Sequence, residues 1–248
     1  YCSFEIDDKV FFNQEVYKVQ PIRIEEIPNE IKDYLNGIHS IWFPPQGSTS
    51  DVGIIENNQG SYVLKRAKGE WFCSWLKKEV LVLNCLAEET TLPVPKIKIF
   101  VEQKQKMQSW ALMEFIAGET LRTVLNKENN REKRREIIYK FGHILSQIHA
   151  TPCPSKLMHN QSWLDQMLIH GDFTIDNVLV FNGEITGIID WSGGAYGDPR
   201  YDVSLAIRPK PNAFQNESDK QAFFEGYGKK IIDHRIYDYY VNGLYEFF

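Results

Sequence analysis

His170-Gly171-Asp172-Phe173-Thr174-Ile175-Asp176-Asn177, followed by Ile188-Ile189-Asp190-Trp191, is the stretch on which the fold turns. Asn177 comes five residues after Asp172. Asp190 follows two apolar runs, Val178-Leu179-Val180 and Ile185 to Ile189, split by Asn182-Gly183. Short apolar runs around an Asn-Gly pair predict a hairpin, which would return Asp190 to the neighbourhood of Asn177. Asp, Asn and a second Asp in that order suit phosphoryl transfer, where the first meets the acceptor hydroxyl and the other two hold Mg²⁺. A hydroxyl losing its proton needs a nearby carboxylate, and a hard cation prefers oxygen ligands. Each residue also has an ordinary reading. His170 suits orienting the loop through hydrogen bonds, and Asp176 suits stabilising the turn beside Asn177.

The upstream half supplies matching parts. Val52 to Ile55 and Tyr62 to Lys65 flank Asn57-Asn58-Gln59-Gly60, a turn signal, so Lys65 is expected to close a strand. Apolar residues at Trp71, Trp75, Leu76, Val80, Leu83 and Leu86 predict an amphipathic helix, broken by Pro93 and Pro95, that carries Glu79. A strand Lys paired with a helix Glu positions nucleotide phosphates. Taken singly, they read as a strand-end lysine and a surface glutamate. Gln46 to Gly53, with Ser48, Thr49 and Ser50, is a small-residue turn whose N–H groups and hydroxyls could cap phosphates. It lacks GxGxxG and reads equally as an ordinary hairpin.

The pattern predicts further strands at Val10–Phe12, Val16–Val19, Ile97–Val101, Trp110–Phe115 and Leu168–Ile169. Helices are expected over Glu132–His149 and through the aromatic-rich run from Ala222 to Phe248. At 43% hydrophobic and 13% aromatic residues, the 248-residue chain can bury a core, which excludes a disordered polymer. Acids and bases cancel over residues 1–150, so the whole net charge of −5 falls in residues 151–248. That balance gives no support to nucleic-acid binding, which needs a surplus of Lys and Arg. No stretch reaches the length of a membrane helix. Cys2, Cys73, Cys85 and Cys153 form no CxxC or zinc spacing and read as reduced thiols, with cytoplasmic localisation expected.

From about Phe43 through Leu205 the chain resembles the aminoglycoside phosphotransferase and choline kinase-like family, relatives of the protein kinases. HGDFTIDN at 170–177 and IDWSGGAYGDPRYD at 189–202 carry the resemblance. It implies an α+β, bilobal protein kinase-like fold. Residues 1–112 would be an N-lobe of antiparallel sheet plus helix, 113–117 a hinge, and 118–248 a mainly helical C-lobe. It implies Asp172 as catalytic base, Asn177 and Asp190 as Mg²⁺ ligands, and Lys65 on the nucleotide phosphates, oriented by Glu79. Val63 would line the adenine pocket, with the Glu114 carbonyl and Ile116 amide facing adenine and Gly118 opening the turn into the C-lobe. Leu145 and His149 resemble the family's LxxLH helix ending, and Asp198 and Asp202 its GDPxxD segment, with loop-bracing roles alongside His170.

The resemblance implies ATP, with GTP open because a hinge binds through backbone atoms, and Mg²⁺. The expected partner is a small-molecule hydroxyl substrate, with no nucleic acid, membrane or obligate protein partner. An aminoglycoside leads the acceptors; a macrolide, choline, a sugar or another amino alcohol are alternatives. Many aminoglycoside-modifying members carry a long helical insert with acidic substrate contacts before HGD. Here only Ala150 to Ile169 spans that interval, with Asp165 its sole acid. The HGD spelling and the short segment after Asp190 argue against a peptide acceptor. Retention of the whole polar set argues against a pseudokinase.

Overall fold

A computed structural model describes residues 19–158 and 166–243, with side chains described through Asn242. In chain order the first elements are α1 (Asn29–Leu35), β1 (Ser40–Trp42), β2 (Asp51–Asn57), β3 (Gly60–Lys68), α2 (Glu70–Glu89), β4 (Ile97–Gln103) and β5 (Gln108–Glu114). The strands form one antiparallel sheet in the order β1-β2-β3-β5-β4. Strand alternation sends successive side chains of β3 to opposite faces. Tyr62 and Leu64 join Trp110 and Leu112 of β5 in a core covered by Ile22, Ile27, Ile31 and Leu35. Ala67 of β3 joins Ala111 and Met113 of β5 on the other face, with Val63 packed against them, where α2 lies with Leu76, Val80 and Leu83. α1 and the segment before it were not evident from the pattern, because seven residues are too few for the 3.6-residue period to stand out.

The second part begins with β6 (Glu119–Thr120), α3 (Leu121–Lys127) and α4 (Arg131–Ala150). There follow β7 (Met167–Ile169), β8 (Val178–Phe181), β9 (Glu184–Ile188), β10 (Ala195–Gly197), α5 (Pro199–Ala206), α6 (Glu217–Tyr227) and α7 (His234–Asp238). β8 and β9 form the predicted hairpin, with β6 added at the edge of β8, while β7 pairs with β10. α4 and α6 cross closely. A Cβ on Gly142 would sit 2.0 Å from the Phe223 carbonyl oxygen, and one on Gly226 1.9 Å from that of Tyr139. Only glycine permits backbones to meet at that distance. Around this crossing Phe141 stacks on Phe173, which anchors the HGD loop to the helical core.

Several expectations need correction. Lys65 does not close its strand, because β3 continues to Lys68 and pairs with β5 as far as Gln108. Residues 66 and 67 are buried and need ladder partners, so the strand cannot stop at Lys65. α2 ends at Glu89 rather than at the prolines, where the Thr90 hydroxyl donates to the Leu86 carbonyl at 2.7 Å. The run from Ala222 is not one helix. Gly228, at φ 87°, ends α6, and Asp233 restarts the chain as the N-cap of α7, which passes into a π-turn at Tyr239–Gly243. Val10–Phe12, Val16–Lys18, Asp165 and the last five residues lie outside the described residues. Among the described residues no helix is long and apolar enough to cross a membrane.

Candidate active site

One cleft of about 590 Å³ opens between the sheet, α2 and the β7–β9 region. Gly47, Ser48, Thr49 and Ser50 form one wall and Lys65, Glu79, Asp172, Asn177 and Asp190 another. Residues drawn from the whole span 47–201 therefore meet in one place. The Ser48–Ser50 loop is stapled by a side chain the sequence reading passed over. The Gln46 amide donates to the Pro44 and Val52 carbonyls at 2.6 and 2.9 Å and accepts from the Val52 N–H at 2.8 Å. Three bonds on one carboxamide fix the loop without the glycines of a GxGxxG turn.

Lys65, projecting from β3, donates to Glu79 Oε1 at 2.7 Å and also to Asp190 Oδ1. The Lys–Glu pairing proposed by spacing is thus made, and Asp190 joins it. Burial opposes the Lys65 charge, but Asp190 and Glu79 outweigh burial and hold its pKa above that of an ordinary lysine. Burial, with Asp190 nearby, moves Glu79 upward despite Lys65. Asp190, also opposed by burial, is pulled downward by Lys65. Asp190 occupies the left-handed region at φ 62°. That conformation is uncommon for a side chain with a Cβ and turns the chain sharply out of β9.

Asp172 is held from behind. Asn177 Nδ2 donates to both the Asp172 carbonyl and its Oδ2, each at 2.9 Å. Because both acceptors are oxygens, Nδ2 must face them, and Asn177 Oδ1 turns the other way. Burial pushes the Asp172 carboxyl up to about 6; Asn177 opposes the shift, while Asp190 and Asp202 add to it. His170 is fully buried, and its ring resolves into one tautomer. Nδ1 accepts from the Asp172 N–H at 3.1 Å, so the proton sits on Nε2, which donates to the Ile189 carbonyl at 2.9 Å. Burial holds its pKa below the usual value, consistent with a neutral ring tying the Asp172 loop to the Asp190 strand.

Asp202 braces the same loop from α5. Its carboxylate accepts from the N–H groups of His170 and Gly171 at 2.6 and 2.8 Å. His149 Nε2 lies 3.3 Å from it, and His149 Nδ1 pairs with the Tyr227 hydroxyl at 2.8 Å. Gly171, at φ 82°, has no room for a Cβ, which would sit 2.4 Å from the Gly193 carbonyl oxygen. Asp198 caps α5 at the Arg200 N–H, pairs with the Arg200 guanidinium and accepts from the Tyr240 hydroxyl at 2.6 Å. Asp176 is more than a turn residue. It forms a two-bond ion pair with Arg122 that ties α3 to the loop, a contact 54 residues apart with no local signal.

Val63, Glu114 and Ile116, expected at the nucleotide base, are not among the residues that line the cleft. Val63 sits between Ile54 and Met113 in the sheet, and the Glu114 N–H donates to the Lys96 carbonyl at 2.9 Å. The Ile116 side chain packs where a Cβ on Gly187 would come within 2.9 Å. The donor set suits a hard divalent cation. Asn177 Oδ1 and Asp190 Oδ2 accept no hydrogen bond from any described residue, and no unpartnered side-chain oxygen among those residues is sealed from solvent. Two oxygens that protein donors leave open on one cleft are what Mg²⁺ would need.

A family model described as the phosphotransferase enzyme family matches residues 43–162 and 155–240. The aminoglycoside 3'-phosphotransferase of Niallia circulans is 32% identical over 84 residues, 34% of this chain and 32% of that protein. The hygromycin-B 4-O-kinase of Escherichia coli is 51% identical over 37 residues, 15% of this chain and 11% of that one. The matches thus span about a third or less of these curated relatives. The streptomycin–ATP ternary complex of APH(2")-IIa superposes with a TM-score of 0.64 at 17% identity, covering 88% of each chain. At that identity the likeness speaks to the fold, which is the two-lobed, kinase-like arrangement of sheet and helices.

Proposed function

Because the chain belongs to the phosphotransferase enzyme family, we propose that it transfers the γ-phosphoryl group of ATP to a hydroxyl of a small molecule, with Mg²⁺ and with an aminoglycoside-type acceptor the first to test. The observation that carries this reading is the convergence of Lys65, Glu79, Asp190, Asp172 and Asn177 on one cleft opposite the Ser48–Ser50 loop. Residues 1–112 serve as the nucleotide lobe, 113–117 as the hinge and 118–248 as the acceptor lobe. Val63 and the backbone of Glu114 and Ile116 are assigned to the base, which leaves ATP and GTP both acceptable.

Asn177 Oδ1 and the Asp190 carboxylate are the groups that would hold Mg²⁺, whose charge would offset that of the phosphate oxygens. Lys65, held in place by Glu79, presents its ammonium to the phosphates. The Ser48–Ser50 hydroxyls and N–H groups close over them. Asp172 orients the acceptor hydroxyl and takes its proton; with a pKa near 6 it is ionised at neutral pH yet basic enough to accept. The transition state is loose, so the rigid support from Asn177, His170 and Asp202 matters more than base strength.

The test is ADP release with a panel of aminoglycosides, macrolides, choline and sugars, alongside calorimetric titration of ATP with and without Mg²⁺. Asp172→Ala should lose turnover while keeping ATP affinity. Equal turnover in that variant would remove Asp172 from the chemistry, and a wild-type chain that binds no nucleotide would remove the reading altogether.

A further inference from the structure

Two lysines line the cleft, and they differ in what they already hold. Lys65 is committed to Glu79 and Asp190. Lys78, the residue before Glu79 on α2, lines the same cleft and has no hydrogen-bond or ion-pair partner among the described residues. Its neighbours are not acids waiting for it. Glu79 and Asp190 share Lys65, and Asp172 accepts from Asn177. Apart from Lys78 and Glu79, the residues that α2 adds to the cleft are the apolar Phe72, Trp75 and Leu76. Lys78 stays exposed to the cleft, and partial desolvation lowers its pKa.

Other lysines near the phosphotransfer groups are accounted for differently. Lys68 donates to Gln20 at 2.8 Å, and Lys210 lies 3.8 Å from Asp176. Lys77, exposed on α2, donates to Glu102 at 3.1 Å. An ammonium that lines the cleft with no counter-charge among the described residues is available to an anion arriving there, without first giving up a protein partner. The cleft has three carboxylates against two ammoniums, so a nucleotide's terminal phosphate entering it gains most from the cation that is not already shared.

We infer that Lys78 is a second phosphate-directed cation of this site, contacting the terminal phosphoryl group as it is transferred, and so supplementing Lys65. The inference rests on the proposed phosphotransferase reading. It differs from it in placing a transition-state contact on α2, one residue away from the glutamate that holds Lys65. No bond is made or broken by Lys78. Its ammonium offsets negative charge on the phosphoryl oxygens while the γ-phosphorus passes from the leaving ADP oxygen to the acceptor oxygen, whose proton goes to Asp172.

The experiment compares the wild type with Lys78→Ala and Lys78→Arg in the full chain, by calorimetry with AMP-PNP and with ADP in the presence of Mg²⁺, and by steady-state ADP release. In Lys78→Ala the AMP-PNP affinity should fall about tenfold and kcat about 10²-fold, with ADP affinity unchanged, as expected for loss of one charge-assisted contact. Lys78→Arg should restore most of both. Equal weakening of AMP-PNP and ADP would mean a structural role and would overturn the inference, as would unchanged values for both. Unchanged nucleotide affinities with a raised KM only for anionic acceptors would assign Lys78 to the acceptor instead, and also overturn it. A wild type that binds neither nucleotide removes the parent reading and this one together. Wild-type binding with an unaltered AMP-PNP to ADP ratio in Lys78→Ala removes this one alone.

Discussion

Lys65 and Arg66 are neighbours on one strand, and each holds two carboxylates, yet they build opposite kinds of region. Lys65 faces α2 and reaches Glu79 and Asp190, the latter with 46% of its side chain exposed to the cleft. Arg66 faces the other side of the sheet, donating to Asp51 at 2.7 Å and Glu26 at 2.9 Å, with Trp110 beneath its guanidinium. Arg66 and Asp51 are each only 1% exposed. Asp51 also accepts from the Gln20 N–H at 2.7 Å, so the second network fastens the segment before α1 to the start of β2. Both networks are paired buried charge. The difference is that one opens onto a cavity that admits a ligand and the other is sealed. An ion network open to a cleft can exchange a partner for a ligand, whereas a sealed one can only hold the fold.

That contrast can be broken by exchanging which property each network controls. Lys65→Met should lower turnover by about 10³-fold, the scale of removing a charge-stabilising group. Its melting temperature should fall less than that of the Arg66 variant, because Asp190 opens to solvent and Glu79, already shifted upward, can take a proton. Arg66→Met should reverse the ranking. It takes the buried guanidinium from Asp51, leaving only the half-buried Lys68 at 3.6 Å and the Gln20 N–H, for a loss of about 3 kcal/mol in chemical denaturation, while kcat of the folded fraction stays near wild type. A large loss of kcat with unchanged stability in Arg66→Met would end the distinction between the two networks.

A smaller effect concerns pH. The Asp172 carboxyl is raised to about 6 in the folded chain from an ordinary value of 3.8. In the proposed role of proton acceptor it would work only when ionised, so kcat/KM should be flat above pH 6 and fall about tenfold per unit below it. The stability consequence has the opposite sense. Folding raises this acid's pKa, so the native state binds the extra proton between pH 3.8 and 6, and the cost of holding the ionised form is fully present above pH 6. Asp172→Asn should therefore raise the melting temperature at pH 7.5, with the gain vanishing toward pH 4. A variant that is inactive and no more stable at pH 7.5 would count against desolvation as the cause.

The smallest effect belongs to the rim of the sealed network. Glu26 is lowered to about 2, first by the Arg23 N–H and then, against burial, by the Arg23 and Arg66 side chains. With 34% of its side chain exposed, much of that interaction is screened. Glu26→Gln should cost about 1 kcal/mol or less. A depressed acid stabilises above its unfolded pKa and loses that contribution as pH falls toward its folded value, so the deficit of the variant should shrink between pH 4 and 2. No change in turnover is expected.

Much of the candidate site was legible because several of the residues that meet in the cleft lie at short spacings along the chain. Asp172 and Asn177 lie on one loop, and Asp190 follows a hairpin whose Asn-Gly turn announces itself. The β-rich run Tyr62-Val63-Leu64 after the Asn57–Gly60 turn made Lys65 a strand residue, and the helical spacing of α2 carried Glu79. Misreadings came at boundaries. Local propensity suggested that β3 ends at Lys65 and that the chain from Ala222 is one helix, but the ladder with β5 and the turn at Gly228 decided otherwise.

By itself, then, the sequence determined the residue types, their order and the α+β alternation that places them on strands, loops and a helix. Local periodicity and turn chemistry act over a few residues, within reach of a reading along the chain. Tertiary structure alone decided that Asp190 closes on Lys65 across 125 residues, that Asp202 and His149 brace the Asp172 loop, and that Arg66 is sealed while its neighbour is open. Those contacts depend on which faces are covered when the elements pack. Two adjacent basic residues carry no local mark of whether a cleft or a core will lie in front of them.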